Sequence, residues 1–370
     1  MRKAVLSART TIEFPRLAKF LPAILDSLSA HDMPVTAQGE AFLASSPFGS
    51  ARLVPHEARL EIELQASNGP ALNRVRYSLT GLIGFVAKSE ELRIEWTGDR
   101  VGKTMPPDLR ILTVRDTSPL TPRMRRVIFE GDDLSRFDVR DQLHTRLLFQ
   151  PEGAARPEWP MLDDEGTIVW PGGEQRLGSR IYTIRRIDAS AGRMTIDFFD
   201  HGESGPGMRW LRRARAGDVV GAIGPAAHGP KPAKRVLLVG DETGLPGIAR
   251  MLEHAPGDLE GLAVIEIADA REKQPIGKPE KVELRWLLRD RPPSADTGPV
   301  TDAVRSLDWG GAHSDLFVWV GCEYHDFRAI RRFLRTDIGL RSSQIVAFPH
   351  WRHGMSEEDI VAAGGEAVAG

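Results

Sequence analysis

The spacing of apolar positions divides the chain into three stretches. From Phe14 to His31, the residues Phe14, Leu17, Phe20, Leu21, Ile24, Leu25 and Leu28 recur at helical intervals, and Pro15 sits near the start, where a first-turn proline is tolerated. This spacing predicts one amphipathic helix. Between Met33 and Ala66 short apolar runs alternate with turn residues, and Arg59 to Leu64 alternates with period two, which predicts a small antiparallel sheet. A second helix is predicted from about Gly69 to Lys88, with Leu72, Val75, Leu79, Leu82, Ile83 and Val86 as its buried face. Leu92 to Trp96 reads as a closing strand. Residues 1–98 thus form a small α+β domain, bounded by Gly98, Gly102, Pro106 and Pro107, which disfavour regular structure.

Strands separated by turn clusters follow: Ile111 to Arg115, Met124 to Glu130, Thr145 to Phe149, Ile181 to Arg186 and Arg193 to Phe199, with one helical segment from Gly207 to Ala214. Such a series predicts a closed antiparallel β-barrel over residues 108–229. Past Lys234 the apolar runs become continuous, as in Val236 to Val239, Leu262 to Ile267 and Leu316 to Val320. Parallel strands covered by helices read this way, so residues 230–356 are expected to form an α/β nucleotide-binding layer, ahead of a polar tail at 357–370.

Composition narrows the function classes. At 370 residues and 41% hydrophobic, the chain has material for two or three cores. A formal net charge of -2 supplies no global field toward nucleic acid or an anionic membrane. The single cysteine, Cys322, removes structural disulfides, Cys-ligated clusters and thiolate zinc sites together, and a small buried residue is the simplest account of it. No run of about 18 apolar residues is present, so no membrane span is expected. After MRKAVLSART the apolar stretch is broken by Ser7, Arg9 and Glu13, so no signal-peptide core forms and a cytoplasmic location is expected.

Two segments carry candidate chemistry. In RIYTIR, Arg180 to Arg185, alternation sends Arg180, Tyr182 and Ile184 to one face and Ile181, Thr183 and Arg185 to the other. A flavin needs an aromatic plane, a hydrogen-bond group near its reactive nitrogen and a cation for its diphosphate, and this strand offers all three. An ordinary strand with a solvated arginine at each end has the same sequence. In HGESGPGMRW, His201 to Trp210, the residues Gly202, Gly205 and Gly207 free backbone N–H groups at a helix start, where a diphosphate is stabilised. Alternatively this is a glycine-rich turn with an N-capping serine.

The blocks RIYTIR, DFFDHGESGPGMRWL, RAGDVVGAIGP, VGDETGLPGIARML, WVGCEYHDFRAIRRFLRTDIGL and HWRHG follow one another in the order of the signature blocks of siderophore-interacting proteins. The chain resembles that family, FAD-containing members of the ferredoxin-reductase superfamily, from Ile111 to Gly354. Residues 1–98 resemble a separate small domain found fused to or beside such proteins. The resemblance implies that Arg180 holds the flavin phosphate, Tyr182 stacks on the isoalloxazine and Thr183 hydrogen-bonds near N5. Tyr182 and Thr183 are then the catalytic candidates, with Ile181 and Ile184 on the same cofactor strand and Arg185 beside the cofactor. His201, Gly202, Gly205, Pro206, Gly207 and Trp210 would line the adenosine diphosphate half.

Asp241, Glu242 and Thr243 sit where the first strand of the α/β layer ends, the usual ligand edge of a parallel sheet. The resemblance implies that Thr243 approaches FAD and that this loop borders the nicotinamide; a Thr-Gly-capped helix start is the alternative. Trp351 would stack over the flavin from the other domain. A ferric siderophore is often anionic, so cations are expected around an open flavin edge, and the candidates are Arg146, where the family usually carries lysine, and Arg352. His350 and His353 stand near that edge, where the family more often has Gly-Tyr before its Trp-Arg pair. Lacking a third ligand nearby, they read as polar rim residues, and no metal site is expected. The arginines between Arg328 and Arg335 read as the solvated face of an amphipathic helix, not as a nucleic-acid surface.

The expected activity is FAD-dependent reduction of ferric siderophores, with NADH or NADPH as hydride donor or reduced ferredoxin as an electron donor, releasing Fe(II) in the cytoplasm. Reduction releases the metal because oxygen-rich chelators hold Fe(III) more tightly than Fe(II). Two other readings stay open at this stage: a general NAD(P)H:flavin or ferredoxin-type oxidoreductase, and a non-catalytic flavin or siderophore binder.

Overall fold

The computed structural model describes residues 5–353 apart from 32, 100–101, 155, 165, 201–204, 290–297 and 311–312. In chain order, β1 (Leu6–Glu13) leads to α1 (Leu17–Ala30), β2 (Val35–Gln38), β3 (Ala41–Ser46), β4 (Gly49–Pro55), β5 (Arg59–Ala66), α2 (Gly69–Val86) and the short β6 (Thr97–Gly98). Next come β7 (Leu109–Pro119), β8 (Met124–Glu130), β9 (Gln142–Phe149), β10 (Met161–Leu162), β11 (Ile168–Val169), β12 (Gly178–Asp188), β13 (Arg193–Phe199), α3 (Pro206–Arg213) and β14 (Val219–His228). The last third holds β15 (Arg235–Gly240), α4 (Leu245–Glu253), β16 (Glu260–Ile267), β17 (Val282–Leu288), α5 (Pro299–Arg305), β18 (Leu316–Glu323), α6 (Tyr324–Thr336) and β19 (Ile345–Trp351). These elements divide into two compact units, Met1–Leu109 with Gly153–Arg176, and Arg110–Glu152 with Leu177–Gly370.

In the first unit an antiparallel sheet runs in the order β2-β3-β4-β5-β1-β6. Period-two alternation puts Leu60, Ile62 and Leu64 on the inner face, in register with Ala8 and Ile12 of β1 and with Ala51 and Leu53 of β4. Leu17, Ile24 and Leu28 of α1 and Leu72, Val75, Leu79 and Ile83 of α2 close over that face. Each such side chain contributes about 1.5–3 kcal/mol by leaving water. Helix α2 starts where expected because the Asn68 side chain accepts from the Ala71 N–H at 2.9 Å and Pro70 occupies its first turn. Leu92 to Trp96 is not the closing strand: Trp96 turns inward, its Nε1 donating to Thr80 Oγ1 at 3.1 Å, and the edge pairing with β1 falls to Thr97 and Gly98. The sequence reading also missed β1, whose apolar positions are small or alternate with Arg9 and Thr11.

In the second unit all five expected barrel segments are strands, and β14 is the sixth that closes the order β12-β13-β8-β7-β14-β9. The parallel sheet that follows has the order β17-β16-β15-β18-β19. Its strands read as continuous apolar runs because both faces are covered. Val236 and Leu238 pack with Ile248, Met251 and Leu252 of α4, while Leu237 and Val239 pack with Val300, Val304, Phe327, Ile330 and Leu334 of α5 and α6. Cys322 is fully buried in β18, which pushes its thiol well above its usual range and leaves it inert. On α6, Arg328, Arg331, Arg332 and Arg335 face solvent as expected.

Helix α4 ties the barrel to this sheet. The buried Arg250 guanidinium donates to the carbonyls of Ile184 (3.0 Å) and Val139 (2.8 Å), and Arg185 donates to both oxygens of Glu253 at 2.7 and 2.5 Å. A register shift in β12 between Ile184 and Arg186 turns Arg185 toward that carboxylate. The loop ahead of α4 is therefore held at a fixed distance from β12.

Candidate functional site

Strand β12 carries RIYTIR between two neighbours. Arg180, Ile181, Tyr182 and Thr183 lie opposite Leu147, Arg146, Thr145 and His144 of β9. The alternation expected from the sequence is what the strand shows. Ile184 is in the barrel core, Tyr182 is half-buried against it and Arg180 lies on the same side, whereas Ile181 is exposed and Thr183 and Arg185 face α4. The Tyr182 ring packs 4.4 Å from Phe198 and edge-on to Phe149 at 6.4 Å.

The glycine turn lies directly against this strand. A Cβ added to Gly207 would stand 2.0 Å from the Tyr182 hydroxyl, and one added to Gly205 would stand 3.3 Å from Arg180 Nη2. A side chain at Gly207 would have to displace the Tyr182 ring or the start of α3. Gly178, at the start of β12, has the same role on the other side, where a Cβ would meet Pro206 at 2.6 Å. Gly205 and Pro206 open α3 with no side-chain cap among the described residues, a helix start suited to an anion beside the Arg180 guanidinium. Trp210, however, is an anchor and not a lining residue. It is buried among Phe129, Phe149 and Phe198 at centroid distances of 5.2–6.0 Å, which fixes α3 to the barrel. His201 and Gly202 lie outside the described residues.

At the sheet's C-terminal edge, Asp241 is the organiser. Its Oδ1 accepts from the Thr243 N–H (2.8 Å) and hydroxyl (2.6 Å), and its Oδ2 accepts from Trp351 Nε1 at 2.8 Å. Asp241 thereby orients the two residues expected near the cofactor. Glu242 is committed elsewhere: Arg289 donates to both its oxygens (3.1 and 2.7 Å), the Ala268 N–H donates at 2.7 Å, and it is buried. Burial raises the Glu242 carboxyl above its usual range and Arg289 opposes that rise. Arg352 lies over the Tyr324 ring at 4.5 Å, and Arg146 Nη1 donates to Ser179 Oγ at 2.9 Å.

A histidine pair adjoins Thr183, and sequence reasoning did not find it. His144 of β9 and His350 of β19 meet edge to face at 5.4 Å, and His350 stands 5.8 Å from Trp319. His350 is half-buried, with its ring against His144 and Trp319, while His353 is exposed. Burial, with the charges of His350 and Arg250 beside it, lowers the His144 imidazole to about 3, so it is neutral near pH 7. The atoms His144 Nδ1, His350 Nε2 and Trp319 Nε1 are buried with no hydrogen-bond partner among the described residues. The available signals were the position of His144 just before Thr145 and Arg146, and the unusual His350. Among the described residues no group of three or more His, Cys, Asp or Glu gathers as a metal site.

These features fit FAD. The packing of Tyr182 directly on Gly207, a helix start with no side-chain cap beside Arg180, and buried polar atoms beside Thr183 together suit a ring, a diphosphate and a polar edge. A six-strand antiparallel barrel followed by a five-strand parallel sheet is the architecture that carries this candidate FAD site. The comparisons with known proteins name the family. The siderophore-interacting FAD-binding domain matches residues 113–229 and the siderophore-interacting protein domain matches residues 233–354. The chain belongs to the siderophore-interacting protein family.

A solved siderophore utilization protein from T. fusca is 32% identical with a TM-score of 0.57, the match covering 70% of this chain and 98% of that one. The siderophore-interacting protein SipS from Aeromonas hydrophila is 28% identical with a TM-score of 0.60, covering 71% and 99%. Ferric vibriobactin reductase ViuB of Vibrio cholerae is 29% identical over 242 residues, 65% of this chain and 88% of that protein. Residues 1–112 lie outside both matched domains. Among the described residues no helix is long and apolar enough to cross a membrane.

Proposed function

We propose that this protein is a ferric-siderophore reductase that holds FAD on β12 and α3 and draws its electrons from NADH or NADPH. The observation that carries the reading is the close fit of Tyr182 over Gly207 beside Arg180 and Gly205, which brings together two segments separate in sequence and supports a dinucleotide site there. Arg180 and the α3 start hold the diphosphate, Tyr182 meets the ring, and the Thr183 hydroxyl supports its reactive edge, with Thr243 and Trp351 positioned by Asp241 across from it. Bound there, FAD supplies the exchange between a two-electron donor and one-electron acceptors. The balance is one NAD(P)H and two ferric chelates giving one NAD(P)+, one proton and two ferrous ions.

Arg146 and Arg352 attract an anionic chelate, and the cytoplasm is the compartment where NAD(P)H is available. The buried carboxylates at the sheet edge favour a second donor. Asp241, Glu242, Glu266, Glu323 and Asp326 are buried, and Arg289 is already paired to Glu242 and Glu266, so that cation is not left for a nucleotide phosphate; reduced ferredoxin brings none. The test is anaerobic absorbance of the FAD-loaded protein. Bleaching by NADH or NADPH followed by recovery on adding ferric siderophore supports the reading. Recovery with dyes alone supports a general flavin reductase, and bleaching by reduced ferredoxin only assigns the second donor. Arg180→Ala is expected to lose FAD; stoichiometric flavin in that variant contradicts the assignment.

A further inference from the structure

Helix α2 buries two polar residues on a face that its apolar stripe does not use. Asn73 and Arg76 are at most 1% exposed. Arg76 Nη2 donates to the Asp99 carbonyl at 2.6 Å, while Nη1 donates to Asn73 Oδ1 at 3.0 Å and stands 4.0 Å from Asp164 Oδ1. Asn73 Nδ2 donates to the Gly102 carbonyl and to Thr104 Oγ1, both at 3.1 Å. Those residues hold one hairpin in turn. The Gly102 N–H donates to Asp164 Oδ1 at 3.1 Å, and Thr104 and Leu162 exchange both backbone bonds at 3.1 and 2.7 Å. Gly166, at φ +75°, passes so close to α2 that a Cβ would lie 3.0 Å from the Tyr77 nitrogen and 3.1 Å from Arg76.

The hairpin held in this way, β10 and β11, belongs to the connection from β9 to β12. That connection spans residues 150–177 and enters β12 at Gly178, which is paired with Phe149 two positions before Arg180. Strands of two residues do not stand alone, and a connection of this length without its own core is uncommon in a compact domain. The α+β core closes on Leu72, Val75, Leu79 and Ile83 and has no use for a buried guanidinium, which is costly unless every donor finds a partner.

We infer that the N-terminal domain is the anchor of the β9–β12 connection, and that Arg76 and Asn73 are positioning residues through which it firms the FAD-binding strand. The domain then contributes to flavin retention through the covalent entry of the held connection into β12 at Gly178. Removing Arg76 frees the hairpin around Asp164, and the strand end carrying Arg180 loses a restraint.

The test uses the full chain, with and without FAD, in wild type, Arg76→Gln, Gly166→Ala and the double variant. Hydrogen exchange of the amides at 161–169 and the FAD dissociation constant from flavin fluorescence are the two readouts. Each single variant should raise exchange at 161–169 while β13 in the barrel core keeps its protection, and should weaken FAD roughly 5- to 150-fold. The double variant should weaken FAD no further, because both changes release one restraint. Should Arg76→Gln fail to fold, Gly166→Ala, which perturbs the same contact from the connection's side, carries the test. Unchanged exchange at 161–169, unchanged FAD affinity despite faster exchange, or additive losses in the double variant would each overturn the inference. No siderophore or reductant is present, so a failed reductase assay leaves this result legible.

Discussion

Gly207→Ala tests the cradle where the geometry is tightest. The added Cβ would lie 2.0 Å from the Tyr182 hydroxyl, roughly 1.4 Å short of ordinary contact, and 3.1 Å from the ring carbon bearing it. The ring cannot withdraw freely, since Phe198 stands 4.4 Å from it and Phe149 abuts it edge-on. Either Tyr182 or the start of α3 must move, and overpacking of this kind costs about 1–3 kcal/mol. If the FAD-bound geometry bears that cost, affinity falls about 5- to 150-fold. Fluorescence titration of flavin-free protein measures it. Tyr182→Phe removes the offending oxygen, so the double variant Gly207→Ala with Tyr182→Phe should regain a good part of the loss relative to Gly207→Ala alone. Wild-type affinity in Gly207→Ala, or no relief in the double variant, would refute the reasoning.

Three further outcomes are expected. Arg289→Met leaves Glu242 and Glu266 buried without their shared cation and should cost about 3–5 kcal/mol, read as a lower urea midpoint by tryptophan fluorescence. The depressed His144 means that the unfolded chain takes up a proton below about pH 6.5 while the folded chain resists until about 3, so stability should fall as pH drops through that window, by at most about 1.4 kcal/mol per pH unit; His144→Asn should flatten the slope between pH 6.5 and 5, and an unchanged slope would count against it. Arg146→Glu should raise KM for anionic ferric chelates more than for neutral ones, and equal effects would remove Arg146 from the substrate face.

Much of this architecture was legible because period and composition agree. Continuous runs such as Val236 to Val239 marked a sheet covered on both sides, and RIYTIR showed its two faces by alternation alone. What escaped was set by distant partners. Trp210 could be placed near a cofactor from its motif, yet Phe129, Phe149 and Phe198 claim its ring. Glu242 looked like a ligand-edge residue until Arg289, far along the chain, took both its oxygens. Arg76 falls within a helix whose apolar stripe is complete without it, so nothing local betrays its burial against Asp99 and Asp164. The histidine pair required β9 and β19 to be brought together.

The most direct measurement follows ferrous iron and flavin together. FAD-loaded protein is reduced stoichiometrically with NADH, NADPH or reduced ferredoxin under argon, then mixed with a ferric siderophore in the presence of a ferrous-specific chromophore. The account predicts two ferrous ions per flavin reoxidised, with the flavin spectrum restored. Flavin that stays reduced while the chelate remains ferric would contradict it.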